Sequence, residues 1–426
     1  MHLIEFGFSN FKSYKDEAII SFEALDSDFM SDNVFKITLN CGETLSLLKS
    51  AVIYGANAAG KSNVIWALRA FSFFIRKSRD FASGDQIYFE PFLFENNDSP
   101  INLWMLFVIN GVKFKYSFSY TKEAFIKEQL YMFDKGKRLL IFSRSHKRFF
   151  KFESHGLNIP TSLKNEKPLP NHLFLSEIAS EKKNDLQPIY EALSSIDSYP
   201  ILNNCYVRNS KPISLAARVG SQDSKLFKRL ETMVELSDLG IKGLNLKRHD
   251  DSEFNFPSSI SKQRKEDFIE NNRWEFLTLH RTKDGRTISM NIENESTGTQ
   301  NVIYLGSNIL EVLENGGVFA LDEMDLALHQ TLLCELVSLF HNPETNPLNA
   351  QLLFTAHNTS IISEFEGIMR TDQIWFAEKD EYGESSLFNA KEFEGVGISV
   401  PFERWYRLGR FGAIPRKGDF TLIFKN

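Results

Sequence analysis

Cysteine is scarce in this chain: Cys41, Cys205 and Cys334 are the only three in 426 residues, far apart and without a neighbouring Cys or His at metal-ligand spacing. That excludes a disulfide framework and a zinc site, and it suits a reducing compartment, so a cytoplasmic protein is expected. Long apolar runs are missing as well. No stretch approaches the roughly 18 uncharged apolar residues of a membrane helix, and the opening "MHLIEFGFSNFKSYKDEAIISF" has neither a basic region nor a long apolar one. Neither secretion nor membrane spanning is expected. Positive charge is not in excess: the formal net charge is −6, so whole-molecule attraction to nucleic acid is not expected. No internal repeat occurs, and Pro188, Pro200 and Pro212 break the middle, which sustains no heptads and so makes no coiled-coil arm. What is there suffices for sizeable cores, since 42% of the residues are hydrophobic, and at about 150 residues per domain the length suggests two or three folding units. Phenylalanine is abundant, at 39 residues, and the sequence offers no function for it.

The stretch "VIYGANAAGKSNVIWAL", Val52 to Leu68, reads as strand, loop and helix. Gly55, Gly60, Lys61 and Ser62 fill every fixed position of G-x-x-x-x-G-K-[ST], whose backbone N–H groups wrap a phosphate chain. The glycines allow close approach, and the helix N-terminus offers unpaired N–H groups and a favourable dipole. Lys61 is placed to reach the β/γ-phosphates and the Ser62 hydroxyl to ligate Mg²⁺.

More than half of the chain further on, "GGVFALDEMD" reads as a buried strand, Val318 to Leu321, delivering Asp322 and Glu323 to its C-terminal edge. Asp322 suits Mg²⁺ ligation and Glu323 suits the base that orients and deprotonates an attacking water. "NESTGTQNVIYLGSNILEVLENGG" predicts a helix with Val302, Leu305, Ile309 and Leu313 on one face; its hydroxyl-rich start, Ser296 to Thr299, is either an N-cap or a second phosphate-binding helix N-terminus. "QLLFTAHNTSII" predicts a strand ending at His357, an imidazole that is either structural or a partner for a γ-phosphate or its water. Between the two ends lies a β-rich zone from about Tyr88 to Phe152, with Asn110-Gly111 as a hairpin turn, then a mainly helical region from Leu173. The densest basic run, Lys135, Lys137, Arg138, Arg144, Lys147, Arg148 and Lys151, fits the solvated edge of a β-hairpin or a nucleic-acid face.

The order of these parts resembles the ABC-type ATPases of the SMC and RecF kind, in which they are Walker A, signature, Walker B and switch histidine. "FSNFKSY" at Phe8 to Tyr14, Asn63 after Gly-Lys-Ser, and "DLALH" after the Walker B carboxylates are similar to the members without transporter or coiled coil. "WYRLGRFGAIP", Trp405 to Pro415, is similar to the close of bacterial ATPases such as RloA and those of PARIS and Septu anti-phage systems.

The resemblance implies an α/β P-loop NTPase of ABC ATPase type, a mixed sheet with an antiparallel β subdomain and a helical insertion. Residues 1–172 and 273–426 would be the two halves of the ATPase core around an insertion at 173–272. It implies ATP and Mg²⁺ as cofactors; Gly55, Asn57, Gly60, Lys61, Ser62 and Asn63 as the ATP-binding set; Ser62 and Asp322 at the metal; Glu323 and His357 as catalytic residues; and Asp325 as the D-loop. Because "ESTGT" departs from Leu-Ser-Gly-Gly-Gln, only Ser296 and Gly298 carry over as signature, acting on the nucleotide of a second protomer in an ATP-sandwiched homodimer or higher oligomer. Gln86 is a poor Q-loop candidate, and "EPFLF", Glu90 to Phe94, stands in that region. The residues after His357 carry no acidic cluster for the Toprim domain of the related OLD nucleases, so nuclease or toxin activity is expected of a separate effector. A RecF-like repair ATPase that binds DNA and a P-loop small-molecule kinase are the alternatives.

Overall fold

In a computed structural model of the chain, the described residues are 1–94, 99–145, 148–153, 155–160, 168–178, 184–199, 224–257, 259–326, 328–363, 367–396, 401–414 and 423. Cys205, Lys147, Pro200, Pro212 and Pro415 lie outside them. The chain forms two compact units: Met1–Pro200, Gly316–Glu323 and Val337–Asn426 make the first, and Ile201–Asn315 with Met324–Leu336 the second.

The first unit begins with β1 (His2–Ser9), β2 (Ala18–Ser21) and the pair β3 (Val34–Thr38) and β4 (Thr44–Leu48). Strand β5 (Ser50–Gly55), buried at every residue, leads into α1 (Lys61–Lys77), whose stripe Val64, Leu68, Phe71 and Ile75 is buried. Five antiparallel strands follow: β6 (Ile101–Ile109), β7 (Val112–Tyr120), β8 (Phe125–Asp134), β9 (Lys137–Ser145) and β10 (Arg148–Phe152). Asn110 and Gly111 join β6 to β7 at φ 49° and 74°, the two left-handed residues that a type I′ turn requires. Helices α2 (Phe174–Glu177) and α3 (Gln187–Ser194) and strand β11 (Asp197–Tyr199) close this stretch.

Strands β10-β9-β8-β7-β6-β1-β2 form one antiparallel sheet, and α1 packs on it through aromatic rings. Phe71 stacks on Phe118 at 5.4 Å and meets Phe6 edge-on at 5.8 Å, while Phe74 meets Tyr120 at 4.9 Å. Such pairs add about 0.5–1.5 kcal/mol each beyond area burial. Phe8, Phe11, Phe107, Phe125 and Phe142 belong to the same core, which is where much of the phenylalanine goes.

In the second unit, α4 (Lys225–Leu236) is capped by Ser224, whose hydroxyl accepts from Phe227 N–H at 3.0 Å. It precedes β12 (Ile241–Arg248), α5 (Lys262–Asn272), β13 (Trp274–Arg281), β14 (Thr287–Asn291) and α6 (Thr297–Asn315). β12, β13 and β14 form an antiparallel sheet whose core residues, Leu244, Leu246 and Phe276, share one cluster with Phe227, Leu230 and Ile303. Two details differ from the expected helical stretch at 173–272. Leu173 to Ile196 are core of the first unit, and Leu244/Leu246 alternate with Asn245/Lys247 as a strand does.

The chain then re-enters the first unit with β15 (Val318–Leu321); α7 (Gln330–His341) begins in residues of the second unit and ends in those of the first, which then adds β16 (Gln351–Thr355), β17 (Ile374–Lys379), β18 (Ser385–Asn389) and α8 (Phe402–Arg407). The second sheet runs β11-β15-β16-β5-β17-β18, parallel except for β18. The fold is thus α/β, a mixed P-loop sheet beside an antiparallel β subdomain. Because β15, β16 and β5 are parallel neighbours, their C-terminal ends, Leu321, Thr355 and Gly55, reach one edge of the sheet, where α/β folds place ligands. Among the described residues, no helix is long and apolar enough to cross a membrane.

Candidate active site

The loop between β5 and α1 needs its glycines for space. A Cβ on Gly55 would sit 2.3 Å from the Ala377 carbonyl oxygen of β17, and one on Gly60, at φ 108°, would sit 2.6 Å from Ser385 Oγ. Ala58 takes a left-handed φ of 63°, which turns the loop back on itself. Lys61 is buried, and its ammonium donates to the Gly55 and Ala56 carbonyls at 3.0 Å each. These are neutral acceptors, and a phosphate oxygen is a stronger, charge-assisted one within reach of the same loop. Behind the loop, Asn63 Nδ2 donates to Ser13 Oγ at 2.7 Å and Ser385 Oγ donates to the same oxygen at 2.7 Å. Asn57 lies exposed on the loop.

Across the sheet edge, Thr355 ties the two carboxylate residues together. Its hydroxyl donates to Asp322 Oδ1 at 2.6 Å and accepts the Glu323 N–H at 2.7 Å. Burial pushes the Asp322 carboxyl up, and the hydrogen bonds from Thr355 and Ser62 together with the Lys61 charge pull against that. Glu323 is held at a left-handed φ of 50°, a strained setting for a non-glycine residue, and His357 Nε2 lies 3.9 Å from its Oε1. One oxygen of Asp322, Oδ2, is buried with no hydrogen-bond partner among the described residues. A buried carboxylate oxygen left unpaired beside a serine hydroxyl is the donor set of a hard divalent cation, so Asp322 and Ser62 fit Mg²⁺.

The structure therefore brings together Gly55, Gly60, Lys61, Ser62, Asn63, Asp322, Glu323 and His357. Ser296, Gly298 and Asp325 belong to the second unit. Ser296 Oγ accepts the Thr299 N–H at 3.1 Å, the N-cap of α6, and the preceding Glu295 is held by His280 Nε2 at 2.7 Å and by the Thr278 hydroxyl. Gln86 is exposed. Glu90 of "EPFLF" is paired instead with Lys12 of "FSNFKSY", whose ammonium also sits 5.3 Å over the Trp66 ring.

Three contributors escape sequence reasoning. Thr355 leaves a faint trace, a hydroxyl ending the otherwise apolar run of β16. Ser13 and Ser385 leave none, because the meeting of Asn63 and Ser385 at Ser13 depends on sheet order. Thr355→Val keeps the volume but leaves a buried carboxylate and an N–H unpaired, each costing about 1–3 kcal/mol. The expected outcome is a lower unfolding temperature and a large loss of turnover, with Thr355→Ser close to wild type. Losing the donor also raises the Asp322 pKa further, so the acid limb of the pH–rate profile moves to higher pH. Stability follows the same sign: a carboxyl whose folded pKa is raised costs stability as pH climbs through it. Mg²⁺ should therefore raise the unfolding temperature more at neutral than at acid pH, read by calorimetry.

Residues 50–363 match the protein family described as "AAA domain, putative AbiEii toxin, Type IV TA system". No curated protein matches the chain. Among solved structures, an SMC head bound to the C-terminal winged-helix domain of ScpA is 12% identical, with 96% of this chain and 100% of that chain covered and a TM-score of 0.44. The SMC head domain from Thermotoga maritima is 14% identical over 91% of this chain and 99% of that one, with a TM-score of 0.40. An SMC head from Pyrococcus furiosus, with an extended coiled coil and bound to the C-terminal domain of ScpA, is 13% identical over 96% and 99%, also at 0.40.

Proposed function

From the premise that the chain belongs to this AAA-domain family, we propose that it is an ABC-type ATPase that hydrolyses ATP to ADP and phosphate and uses the cycle as a conformational switch. The observation that carries this reading is the set Lys61, Ser62, Asp322, Thr355 and Glu323, with His357 beside Glu323, at one sheet edge. The N–H groups around Ala58 to Ser62, with Asn57 at the rim and Asn63 behind, hold the β/γ-phosphates, and Lys61 exchanges its loop carbonyls for phosphate oxygens. Ser62 and Asp322 would hold Mg²⁺, which would supply positive charge against the phosphates. Glu323 accepts the proton of the attacking water, and its left-handed backbone is fixed through the Thr355 contact to its N–H. His357 donates to the γ-phosphate or to the water. Mg²⁺-dependent phosphate release from ATP by the purified protein, abolished in Lys61→Ala, tests the reading.

Two further parts belong to the same proposal. Ser296, Gly298 and Asp325 act as signature and D-loop toward the nucleotide of a second protomer, so that ATP holds a homodimer together and its hydrolysis releases it. The biological role is that of sensor or regulatory subunit in a bacterial anti-phage defence assembly, acting in the cytoplasm on a separate nuclease or toxin. The family description, which names a type IV toxin–antitoxin system, and the resemblance of "WYRLGRFGAIP" support a role in defence.

A DNA-binding, RecF-like reading rests on the basic run, and three of its described residues have other partners. β9 and β10 are the edge pair of the antiparallel sheet. Arg144 is buried and donates to the His172 carbonyl at 2.6 Å, Arg138 stacks on Tyr131 at 3.7 Å, and Lys151 pairs with Glu153 at 2.7 Å. Replacing Lys137, Arg138 and Lys151 by Glu is expected to change duplex affinity by less than about threefold and to leave its salt dependence unchanged. A slope reduced by about 0.9 per lost phosphate contact would favour the DNA reading.

A further inference from the structure

The C-terminal segment resembles nothing the active site needs, yet it is built to hold still. Helix α8 ends in a full Schellman motif: Arg410 N–H donates to the Trp405 carbonyl at 3.0 Å, Gly409 N–H to the Tyr406 carbonyl at 2.8 Å, and Gly409 has φ 75°. This turn drives Phe411 back onto the sheet, where its ring stacks on Phe376 of β17 at 4.9 Å. The same ring of β17 stacks on Tyr406 at 5.5 Å, and Tyr406 packs on Tyr54 of β5 at 5.6 Å.

From that anchorage α8 touches both ends of the catalytic edge. The Tyr406 ring packs on Tyr54, the neighbour of Gly55 at the start of the phosphate loop, and its hydroxyl donates to the Ala413 carbonyl at 3.2 Å. One turn earlier, Glu403 accepts the Thr359 hydroxyl at 2.9 Å, Arg407 donates to that hydroxyl oxygen at 3.2 Å, and Arg407 pairs with Glu403 at 2.6 Å. Thr359 is two residues beyond His357, and Asn358 between them is held by the Tyr54 hydroxyl at 2.8 Å. The backbone leaving β16 is thus pinned immediately after the histidine, from β5 on one side and from α8 on the other.

We propose that α8 is a positioning clamp for His357: through Thr359, held by Glu403 and Arg407, it fixes the imidazole relative to Glu323 and the phosphate loop. This rests on the ATPase reading above. The imidazole stands 3.9 Å from the Glu323 carboxylate and its side chain is 43% exposed, so the setting of the backbone that carries it bears directly on its distance from that carboxylate. Displacement of a reacting group by about 1 Å costs on the order of 10²-fold in rate, while ATP affinity, set at the phosphate loop, is untouched.

The test uses Thr359→Val, which keeps shape and removes the hydrogen bonds, and Thr359→Ser, which keeps them. Expected for Thr359→Val is kcat lowered by about tenfold or more with the ATP KM within about twofold of wild type, and recovery in Thr359→Ser. The deciding measurement is the double variant: in a His357→Ala background, Thr359→Val should have no further effect, because a clamp that acts through His357 has nothing left to position. A further loss in that background, a raised KM in Thr359→Val, or wild-type turnover in Thr359→Val or in His357→Ala overturns the clamp while leaving the ATPase reading intact. A wild-type protein without Mg²⁺-dependent turnover overturns the ATPase reading, and the clamp with it.

Discussion

Lys61→Ala protein is expected neither to retain nor to hydrolyse ATP at concentrations at which the wild type should turn it over, whereas Glu323→Gln protein is expected to retain ATP and release no phosphate. The two substitutions remove different things. Lys61 is buried under the loop and carries the positive charge there, so deleting it removes charge-assisted hydrogen bonds worth about 1.5–3 kcal/mol each, roughly a ten- to hundredfold loss of affinity for one bond. Turnover falls with binding. Glutamine at 323 keeps the volume and the Thr355 contact to the backbone N–H, so the phosphate loop is undisturbed. It cannot take a proton, and loss of a positioned base costs about 10²–10⁴-fold in rate. Equilibrium binding of a fluorescent ATP analogue and phosphate release, measured on both proteins, separate the two effects. Turnover by Glu323→Gln near the wild-type rate would remove Glu323 from its role.

Ser296→Arg is expected to abolish turnover and to leave ATP binding at the chain's own Lys61 nearly intact. The residue caps α6 through the Thr299 N–H, so part of any effect is loss of a cap, worth about 1 kcal/mol. Ser296→Asn retains a capping side chain and is the control for that part. What remains is the long cation at a helix start that, in an ATP-sandwiched dimer, must close on the partner's γ-phosphate. A lost donor at such a site costs about 10²–10³-fold in rate. Mixing Ser296→Arg with Lys61→Ala should return partial activity, because one of the two composite sites then combines two intact halves. Unchanged turnover by Ser296→Arg alone would show that Ser296 is an ordinary N-cap and that the sandwich is wrong.

Some of this architecture was legible because the determinants are local. The spacing from Gly55 to Ser62 specifies a loop whatever surrounds it. The runs Val318–Leu321 and Gln351–Thr355 are too apolar to face water on either side, so they read as interior strands, and Asn110-Gly111 can only turn. The stripe of Val302, Leu305, Ile309 and Leu313 gave α6 its buried face. β12 is hard to read because glycine and lysine dilute a weak alternation, and nothing in α2 or α3 marks the core that receives them, because helical periodicity says nothing about which core a helix joins.

The sequence by itself determined that a phosphate loop, an Asp-Glu strand end and a strand leading to His357 exist. Only the tertiary structure decided that they share one edge, because β16 lies between β5 and β15 and lends Thr355 to both carboxylate residues. It alone set Ser13 against Asn63 and Ser385, paired Lys12 with Glu90, turned Arg144 from a surface cation into the partner of buried Glu128, and laid α8 against the turn after His357. The physical reason is common to all of these. Strand order and side-chain contacts between distant segments are chosen by the fit of the whole core, and no periodicity within a segment records which distant segment it will meet.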